Sequence, residues 1–226
     1  FAGQQHIHKG LTSRDLTDNV EQLQIFRSLK IIRLKSVAVL HQLASWSLRT
    51  KNISLVARTH NVPAQPTTLG KRISMFGEEI LFALGRLDHL IENYPMRGIQ
   101  GAVGTRLDQL ELMNGDEKKV RALNELVLEH FDCHSVMNSV GQIYPRSLDL
   151  ETVKSLIAIS SGISSFAKTL RLMAGQDLAT EGFQQGQTGS SAMPHKMNAR
   201  TSERICGFHH VLNGYGAMLT GISGDQ

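Results

Sequence analysis

Aromatic residues and prolines are scarce in this chain of 226 residues, and their scarcity argues against one fold class. Phe, Trp and Tyr together make up 5% of the sequence, and five prolines occur. A β-sandwich or barrel depends on aromatic and β-branched residues, with turn signals about every 8–12 residues. An all-β fold is therefore not expected, although the 41% of hydrophobic residues is enough to bury a core.

Paired cysteines, long apolar runs and clusters of basic residues are missing as well. Cys133 and Cys206 lie outside any spacing typical of a metal site, so we expect reduced thiols in the cytoplasm. The sequence has no run of about 18 apolar residues that would predict a membrane span. Its net charge of +4 is spread along the chain without a basic stripe, which argues against nucleic-acid binding.

Apolar residues that recur every three or four positions predict long helices between the prolines. They favour one helix from 20 to about 48, a second from just after Pro66 to Pro95, and a third over 148–180. Along the third helix the apolar positions form two stripes with a period of about 3.5. A single neighbouring helix cannot cover both stripes, so we expect this helix to be buried in a large bundle or against a second subunit.

Three polar stretches, 6–19, 58–72 and 182–204, are expected to be irregular and to contain the unusual chemistry. A shorter stretch, 98–105, has a glycine at every third position and precedes a helix start at Asp116. The simplest architecture is one elongated all-α domain, a bundle of long helices with polar loops at the helix ends.

The stretch 182–198 is rich in glycine, hydroxyl and amide side chains, and composition alone predicts a surface loop. The order of its residues indicates more. Glycines let backbone amides approach an anion, Ser190 and Ser191 offer hydroxyls, and Lys196 adds a positive charge. A helix that starts near Ala199 would also point its N-terminal amides at the loop. The stretch is thus a candidate anion site.

Two further clusters contain histidine. His60 lies among polar neighbours that can fix its tautomer, although a hydrogen-bonded structural histidine is the commoner case beside a Pro loop. Near the start of the chain, capping of the first long helix explains Thr12 and Ser13 but not His8. A metal pair of His6 and His8 has weak support, because no third ligand lies at a useful spacing.

The signatures of serine hydrolases, dinucleotide-binding folds and phosphate-loop nucleotidases are absent, but residues 189–198 have the sequence GSSAMPHKMN. This segment resembles the GSSxMPxKxN loop of the fumarase/aspartase superfamily of lyases. Supporting segments occur in the same order as in that superfamily: HKGLTS at 8–13, THNVPAQ at 59–65, TTLGKR at 67–72, GQIYPR at 141–146 and Ser-Glu-Arg at 202–204. Within the superfamily, the chain is most similar to the adenylosuccinate lyase family.

This resemblance implies an enzyme that needs no cofactor and no metal. Its reaction would be the β-elimination of fumarate from adenylosuccinate, giving AMP, and from the succinyl-carboxamide ribonucleotide of purine biosynthesis (SAICAR to AICAR). By the same resemblance, Ser190 is the base that takes the proton beta to the leaving nitrogen, and His60 is the acid that protonates this nitrogen. The implied substrate-binding residues are His8, Thr12, Ser13, Thr59, Gln142, Lys196, Asn198 and Arg204.

The resemblance also implies that residues 1–226 form the central helical domain of the superfamily fold, with the family's N-terminal and C-terminal regions outside this chain. Members are cytoplasmic homotetramers that share a bundle of long helices and build each active site from three subunits. The expected partners are therefore the small-molecule substrate and further copies of the chain, with no nucleic acid or membrane. One departure is Ala199, which stands where the family loop usually has proline and should loosen the loop exit.

Two other functions remain open on the sequence alone. A carboxymuconate cycloisomerase also has histidine at the position of His195, although the segments 68–72 and 142–146 favour adenylosuccinate lyase. A non-catalytic structural protein can share the fold, but it would have no reason to keep the set Ser190, His60, Lys196 and His8.

Overall fold

The computed structural model describes residues 3–182, 185–187, 189–193 and 195–225. Within these ranges the chain forms long helices and a single small hairpin, which confirms the predicted all-α class. After a short 3-10 turn at Gln4–His6, the elements are α1 (Ser13–Arg49), β1 (Ser54–Thr59), β2 (Val62–Thr68), α2 (Leu69–Glu92), α3 (Leu107–Leu112), α4 (Glu117–Phe131), α5 (Ser147–Ala174) and α6 (Arg200–Ile222). Of the described helices, none combines the length and the apolar character needed to cross a bilayer.

Helix α1 begins seven residues before its predicted start, so the expectation of an irregular 6–19 stretch is wrong from Ser13 onward. Its first turn is polar, but Asp15 stabilises it by accepting a hydrogen bond from the backbone N–H of Thr12 at 2.8 Å. A carboxylate that reaches back from the third helical position satisfies an otherwise unpaired amide of the helix start. Apolar periodicity does not detect such a turn.

The stretch 58–72 is also more regular than predicted, because β1 and β2 pair as an antiparallel hairpin. The turn consists of His60 and Asn61, whose φ angles are 53° and 64°. Positive φ at both central residues is the geometry of a type I′ hairpin turn, which matches the twist of the flanking strands. Helix α2 then begins at Leu69, as predicted, with the hydroxyl of Thr68 accepting the N–H of Lys71.

Helix α5 ends at Ala174, six residues before its predicted end. The chain leaves the helix through Asp177, whose φ is 56°, while the N–H of Leu178 donates to the carbonyl of Met173 at 2.9 Å. This bond and the left-handed residue are the marks of a Schellman stop. The stop was missed because aspartate, unlike glycine, rarely takes the left-handed position.

The chain divides into two compact units, the first made of residues 1–33, 87–152 and 219–226 and the second of 34–86 and 153–218. In the second unit, Leu43, Ile73 and Ile80 are buried together, and the rings of Phe76 and Phe166 meet edge to face at 5.4 Å. In the first unit, the rings of Phe26 and Tyr94 stack at 5.8 Å. Much of the remaining interior of the first unit is polar.

Glycines shape the loop between α2 and α3 in the first unit. Gly98, Gly101 and Gly104 all have φ between 75° and 79°. At Gly104 a Cβ atom would overlap the carbonyl oxygen of Val140, so only glycine fits the approach of these two segments. The regular glycine spacing in the sequence therefore marks a fixed loop that lies directly against residues 140–141.

Candidate active site

The loop between α5 and α6 contains the predicted base. Ser190 is half-buried, and its Oγ accepts a hydrogen bond from the backbone N–H of Met193 at 3.2 Å. The side-chain amide of Asn198 donates to the carbonyl of Gly189 at 3.0 Å and closes the loop. Phe183, Gln184, Thr188 and the motif residue Pro194 lie outside the described residues. The backbone N–H dipole of Met193 points at the Ser190 oxygen, and this orientation favours an alkoxide.

Two of the predicted substrate-binding residues line an open cavity of about 1160 Å³ in the second unit. These are Lys196 and Asn198; as far as the cavity walls are described, Ser190 and Arg204 are not part of them. The other charged or titratable residues of the lining are Lys168, Arg171, Asp177, His195 and Glu203. Cations outnumber carboxylates there even with the histidine neutral, so the cavity suits an anionic ligand.

The N-terminus of α6 already binds a carboxylate from the chain itself. Glu181 accepts hydrogen bonds from the N–H of Thr201 at 3.1 Å, the N–H of Ser202 at 2.8 Å and the hydroxyl of Ser202 at 2.6 Å. The sequence predicted that these amides would favour negative charge, and the structure assigns this charge to Glu181. Burial opposes ionisation of Glu181, but these hydrogen bonds outweigh it and hold the pKa of the carboxyl below its usual value.

Because of this lowered pKa, Glu181→Gln should destabilise the protein by about 0.5–1 kcal/mol at pH 7, the usual contribution of an exposed helix cap. The contribution is complete above the unfolded pKa of about 4.3 and is lost as the pH falls through the lower folded pKa. Denaturant unfolding at pH 7 and at pH 3 measures it. Glu78→Gln, which removes an exposed carboxylate from α2, is the control and should leave both midpoints unchanged. A Glu181 effect that is equal at both pH values would contradict this assignment.

The predicted acid, His60, lies at the exposed tip of the hairpin, next to Thr59. The turn is closed by the guanidinium of Arg58, which donates to the carbonyl of Asn61 at 2.9 Å. Across the described ranges, no hydrogen bond or ion pair involves the imidazole of His60, so its polar neighbours do not fix its tautomer here. The ring is free to meet a ligand or another chain from outside.

The remaining predicted site residues of the first unit lie on two segments. His8 is exposed, and Thr12 and Ser13 form the start of α1. The side chain of Gln142 is exposed as well, but its backbone carbonyl points inward and accepts a hydrogen bond from Arg97 at 2.9 Å. Exposed binding groups are thus attached to a backbone that is fixed from the interior.

Arg97 is a residue that sequence reasoning missed. Its side chain is fully buried together with those of Asp15 and Asp18, and its Nη1 forms an ion pair with Asp15 Oδ1. It also donates to four backbone carbonyls, those of Gly98, Gly101, Gly141 and Gln142. Buried charges require such complete pairing. The residue links the start of α1 to the segment that contains Gln142.

The segment 141–146 is anchored by its tyrosine. The backbone N–H of Tyr144 donates to Asp18 at 3.2 Å, and its hydroxyl donates to Asp149 at 2.8 Å. Burial, together with this carboxylate, raises the pKa of the Tyr144 hydroxyl and keeps it protonated. The guanidinium of Arg146 lies over the ring at 4.6 Å. This tyrosine is therefore a structural residue of the motif.

The predicted site residues are divided between the two units. The first unit contains His8, Thr12, Ser13 and Gln142, and the second contains Thr59, His60, Ser190, Lys196, Asn198 and Arg204. Arg204 is exposed on α6. In the part of the chain that the structure describes, no three side chains of His, Cys, Asp or Glu come together as they would around a metal ion.

Comparisons with known proteins agree with the motifs. A family model described as lyase matches residues 1–213. The adenylosuccinate lyase of Schizosaccharomyces pombe is 36% identical over 200 residues, which are 88% of this chain and 42% of that protein. The adenylosuccinate lyase of Archaeoglobus fulgidus is 31% identical over 215 residues, 92% of this chain and 46% of that protein. The chain therefore spans less than half the length of these relatives.

Among solved structures, the chain is similar to the 3-carboxy-cis,cis-muconate lactonizing enzyme from Pseudomonas putida. The TM-score is 0.82 at 21% identity, and the match covers 98% of this chain and 48% of that one. At this identity the likeness concerns the fold alone. Since the family model covers nearly the whole sequence, the chain belongs to the lyase family, as the segment 189–198 indicated.

Proposed function

We propose that the protein containing this chain releases fumarate from adenylosuccinate, giving AMP, and from SAICAR, giving AICAR. The observation that supports this most directly is the loop of Ser190, whose oxygen accepts an amide hydrogen bond in the loop that also supplies Lys196 and Asn198 to the cationic cavity. The relatives named adenylosuccinate lyase, at 31–36% identity, support the same substrate class.

In the proposed reaction, Ser190 takes the proton that lies alpha to one succinyl carboxylate. The electron pair left behind makes that carboxylate a dianionic aci-carboxylate, which then expels the nitrogen as the C–N bond breaks. In this proposal Lys196 and Asn198, which line the cationic cavity, stabilise the succinyl carboxylates. Serine is a weak base, so the step depends on closure of the loop, exclusion of water and the amide dipole at its oxygen.

His60 supplies the proton for the leaving nitrogen in this proposal, so the proton count balances: Ser190 gains one and His60 loses one. Imidazole suits the role because it titrates near neutral pH. The exposed position of His60 on the hairpin leaves its ring accessible to a substrate. The residues proposed to bind the rest of the substrate are His8, Thr12, Ser13, Thr59, Gln142 and Arg204.

We further propose a homotetramer with shared active sites, located in the cytoplasm. Helix α6 supports the assembly, because an exposed apolar stripe runs along it at the helical spacing of three or four: Phe208, Val211, Tyr215 and Met218. A second copy of the chain would cover such a stripe. Both cysteines are free and buried, and burial raises the pKa of the Cys133 thiol, which suits a reducing compartment.

The competing function is that of a carboxymuconate cycloisomerase. His195 and the likeness to the lactonizing enzyme are compatible with it, but that likeness concerns the fold only. The relatives of higher identity are adenylosuccinate lyases, so this alternative is not favoured. These relatives give no support to a non-catalytic structural role either.

The proposal is tested on the protein expressed from its complete reading frame by a fumarate-release assay with adenylosuccinate and SAICAR, and by a separate assay of carboxymuconate consumption. We expect turnover of adenylosuccinate and SAICAR and none of carboxymuconate. The same purification carried out on host cells without the expressed gene controls for a contaminating lyase of the expression host. Turnover of carboxymuconate alone would contradict the proposed function, and activity of equal size in the preparation from cells without the gene would assign the signal to the contaminant.

A further inference from the structure

One face of the buried Arg97 guanidinium is occupied by the carboxylate that holds the start of α1. Asp15 Oδ1 pairs with Arg97 Nη1 and also accepts the N–H groups of Gln100 at 2.8 Å and Gly101 at 3.1 Å. Its other oxygen, Oδ2, accepts the N–H of Thr12 at 2.8 Å. The same carboxylate therefore joins Arg97 to the backbone of the Thr12 segment.

The rest of the guanidinium binds the segment that contains Gln142. Nε donates to the carbonyl of Gln142 at 2.9 Å, and Nη2 donates to the carbonyl of Gly141 at 3.3 Å. Nη2 also donates to the carbonyl of Gly101 at 2.9 Å. A planar guanidinium fixes the relative directions of these bonds, which a lysine ammonium cannot do.

A second buried carboxylate, that of Asp18, also lies beside the guanidinium. Asp18 Oδ2 lies 4.0 Å from Arg97 Nε and accepts the N–H of Tyr144 at 3.2 Å. Asp18 Oδ1 pairs with Arg14 at 3.1 Å. Two arginines thus pair with two aspartates, of which Arg97, Asp15 and Asp18 are fully buried and Arg14 is partly exposed.

From this geometry we infer that Arg97 is a positioning residue for substrate binding: it holds the Thr12-Ser13 and Gly141-Gln142 segments at a fixed separation through Asp15 and the two carbonyls. The inference rests on the proposed function, because the substrate contacts of Thr12, Ser13 and Gln142 belong to that proposal. Arg97 itself does not touch substrate.

Arg97→Lys tests this role. Lysine keeps the buried charge and can pair with Asp15, but it cannot donate to Asp15, Gly141 and Gln142 together. The two segments then move independently, and misplacement of a binding group by about 1 Å lowers its effect up to roughly 100-fold. We expect KM for adenylosuccinate to rise about 10- to 100-fold, with kcat, which depends on Ser190 and His60, changed less than about threefold.

The matched control is Arg33→Lys. Arg33 pairs with Asp88 at 2.7 Å in the same unit, on a partly exposed surface, and contacts neither segment. The Arg33→Lys substitution should leave KM for adenylosuccinate unchanged. Asp15→Asn, which keeps the shape of the side chain, is the second test variant and should raise KM like Arg97→Lys. Hydrogen exchange of peptides covering 10–16 and 139–146 gives a readout besides activity, and we expect both peptides to exchange faster in the two test variants.

Folded Arg97→Lys protein with an unchanged KM would overturn the inference, and so would a failure of both test variants to fold, which would make the network purely structural. Failure of the proposed function is a different result: the unmodified protein would not turn over adenylosuccinate. In that case the exchange of the two peptides still decides whether Arg97 connects them. Unchanged exchange in both test variants would overturn the connection.

Discussion

Ser190→Ala, made in the protein expressed from its complete reading frame, is expected to lower kcat for adenylosuccinate by about 10³-fold or more. The substitution removes the proposed proton acceptor and leaves the cationic cavity and its lysine in place. The thermal midpoint should change little, because among the described residues of the loop the serine oxygen makes a single hydrogen bond, worth about 1 kcal/mol.

Binding of the product separates loss of chemistry from loss of the site. AMP should bind the Ser190→Ala variant with a dissociation constant within about threefold of the unmodified protein, measured by calorimetry, since a base acts on the transition state and adds little to ground-state binding. An AMP affinity that falls together with kcat would show that the loop had collapsed.

Ser191→Ala is the matched control, since the neighbouring serine lies in the same loop and is exposed. Its kcat should stay within a few-fold of the unmodified protein. If Ser190→Ala retains near-normal turnover, or if Ser191→Ala is the inactive variant, the assignment of the base to Ser190 is wrong.

Helices with an apolar stripe were predictable because their burial repeats at the helical period. Helix α2 begins and ends close to its predicted bounds, and α4 begins where the capping signal at Asp116 placed it, with the Asp116 carboxylate accepting the N–H groups of Lys118 and Lys119. In both helices, side-chain chemistry and burial point to the same boundary.

The polar interior of the first unit was not predictable in the same way. Asp15, Asp18 and Gln22 are all buried and continue the spacing of the apolar residues Phe26 and Leu29 toward the start of α1. A prediction that uses only hydrophobic residues therefore starts the helix too late, at the point where its buried residues change from polar to apolar. Three- and four-residue spacing of polar residues, followed upstream from Phe26, is the signal that would have extended α1, and its two aspartates indicate a buried cationic partner.

The hairpin was missed for a different reason. Pro63 and Pro66 favour a loop in the sequence, but in a two-stranded hairpin each strand has one unpaired edge on which a missing N–H is tolerated. The local geometry of the hairpin depends on two left-handed residues, His60 and Asn61, and the sequence marks this turn only by Asn61.

His60→Ala is expected to lower kcat by about 10²- to 10⁴-fold, because the nitrogen of the leaving group would have to depart without a proton. The fold should be unaffected, since the imidazole has no partner within the described residues and lies on an exposed turn. His41→Ala, at another exposed histidine of the second unit, is the control and should retain full turnover. Steady-state assays of the two variants decide this, and a His60→Ala enzyme with normal kcat would assign the acid to another group.

Co-expression of the Ser190→Ala and His60→Ala variants tests whether active sites are shared between copies. Each variant alone is expected to be inactive. If the base and the acid of one site come from different copies, random mixing gives roughly a quarter of the sites both intact residues, and activity returns to about that fraction. Ser190→Ala mixed with the double variant Ser190→Ala/His60→Ala is the control and should regain nothing, because no copy in it supplies the base.

If the first mixture also stays inactive while mixed oligomers form, both residues of each site belong to one copy. The exposed position of His60 and the uncovered apolar stripe of α6 agree with the shared arrangement, since both are accessible to a second chain.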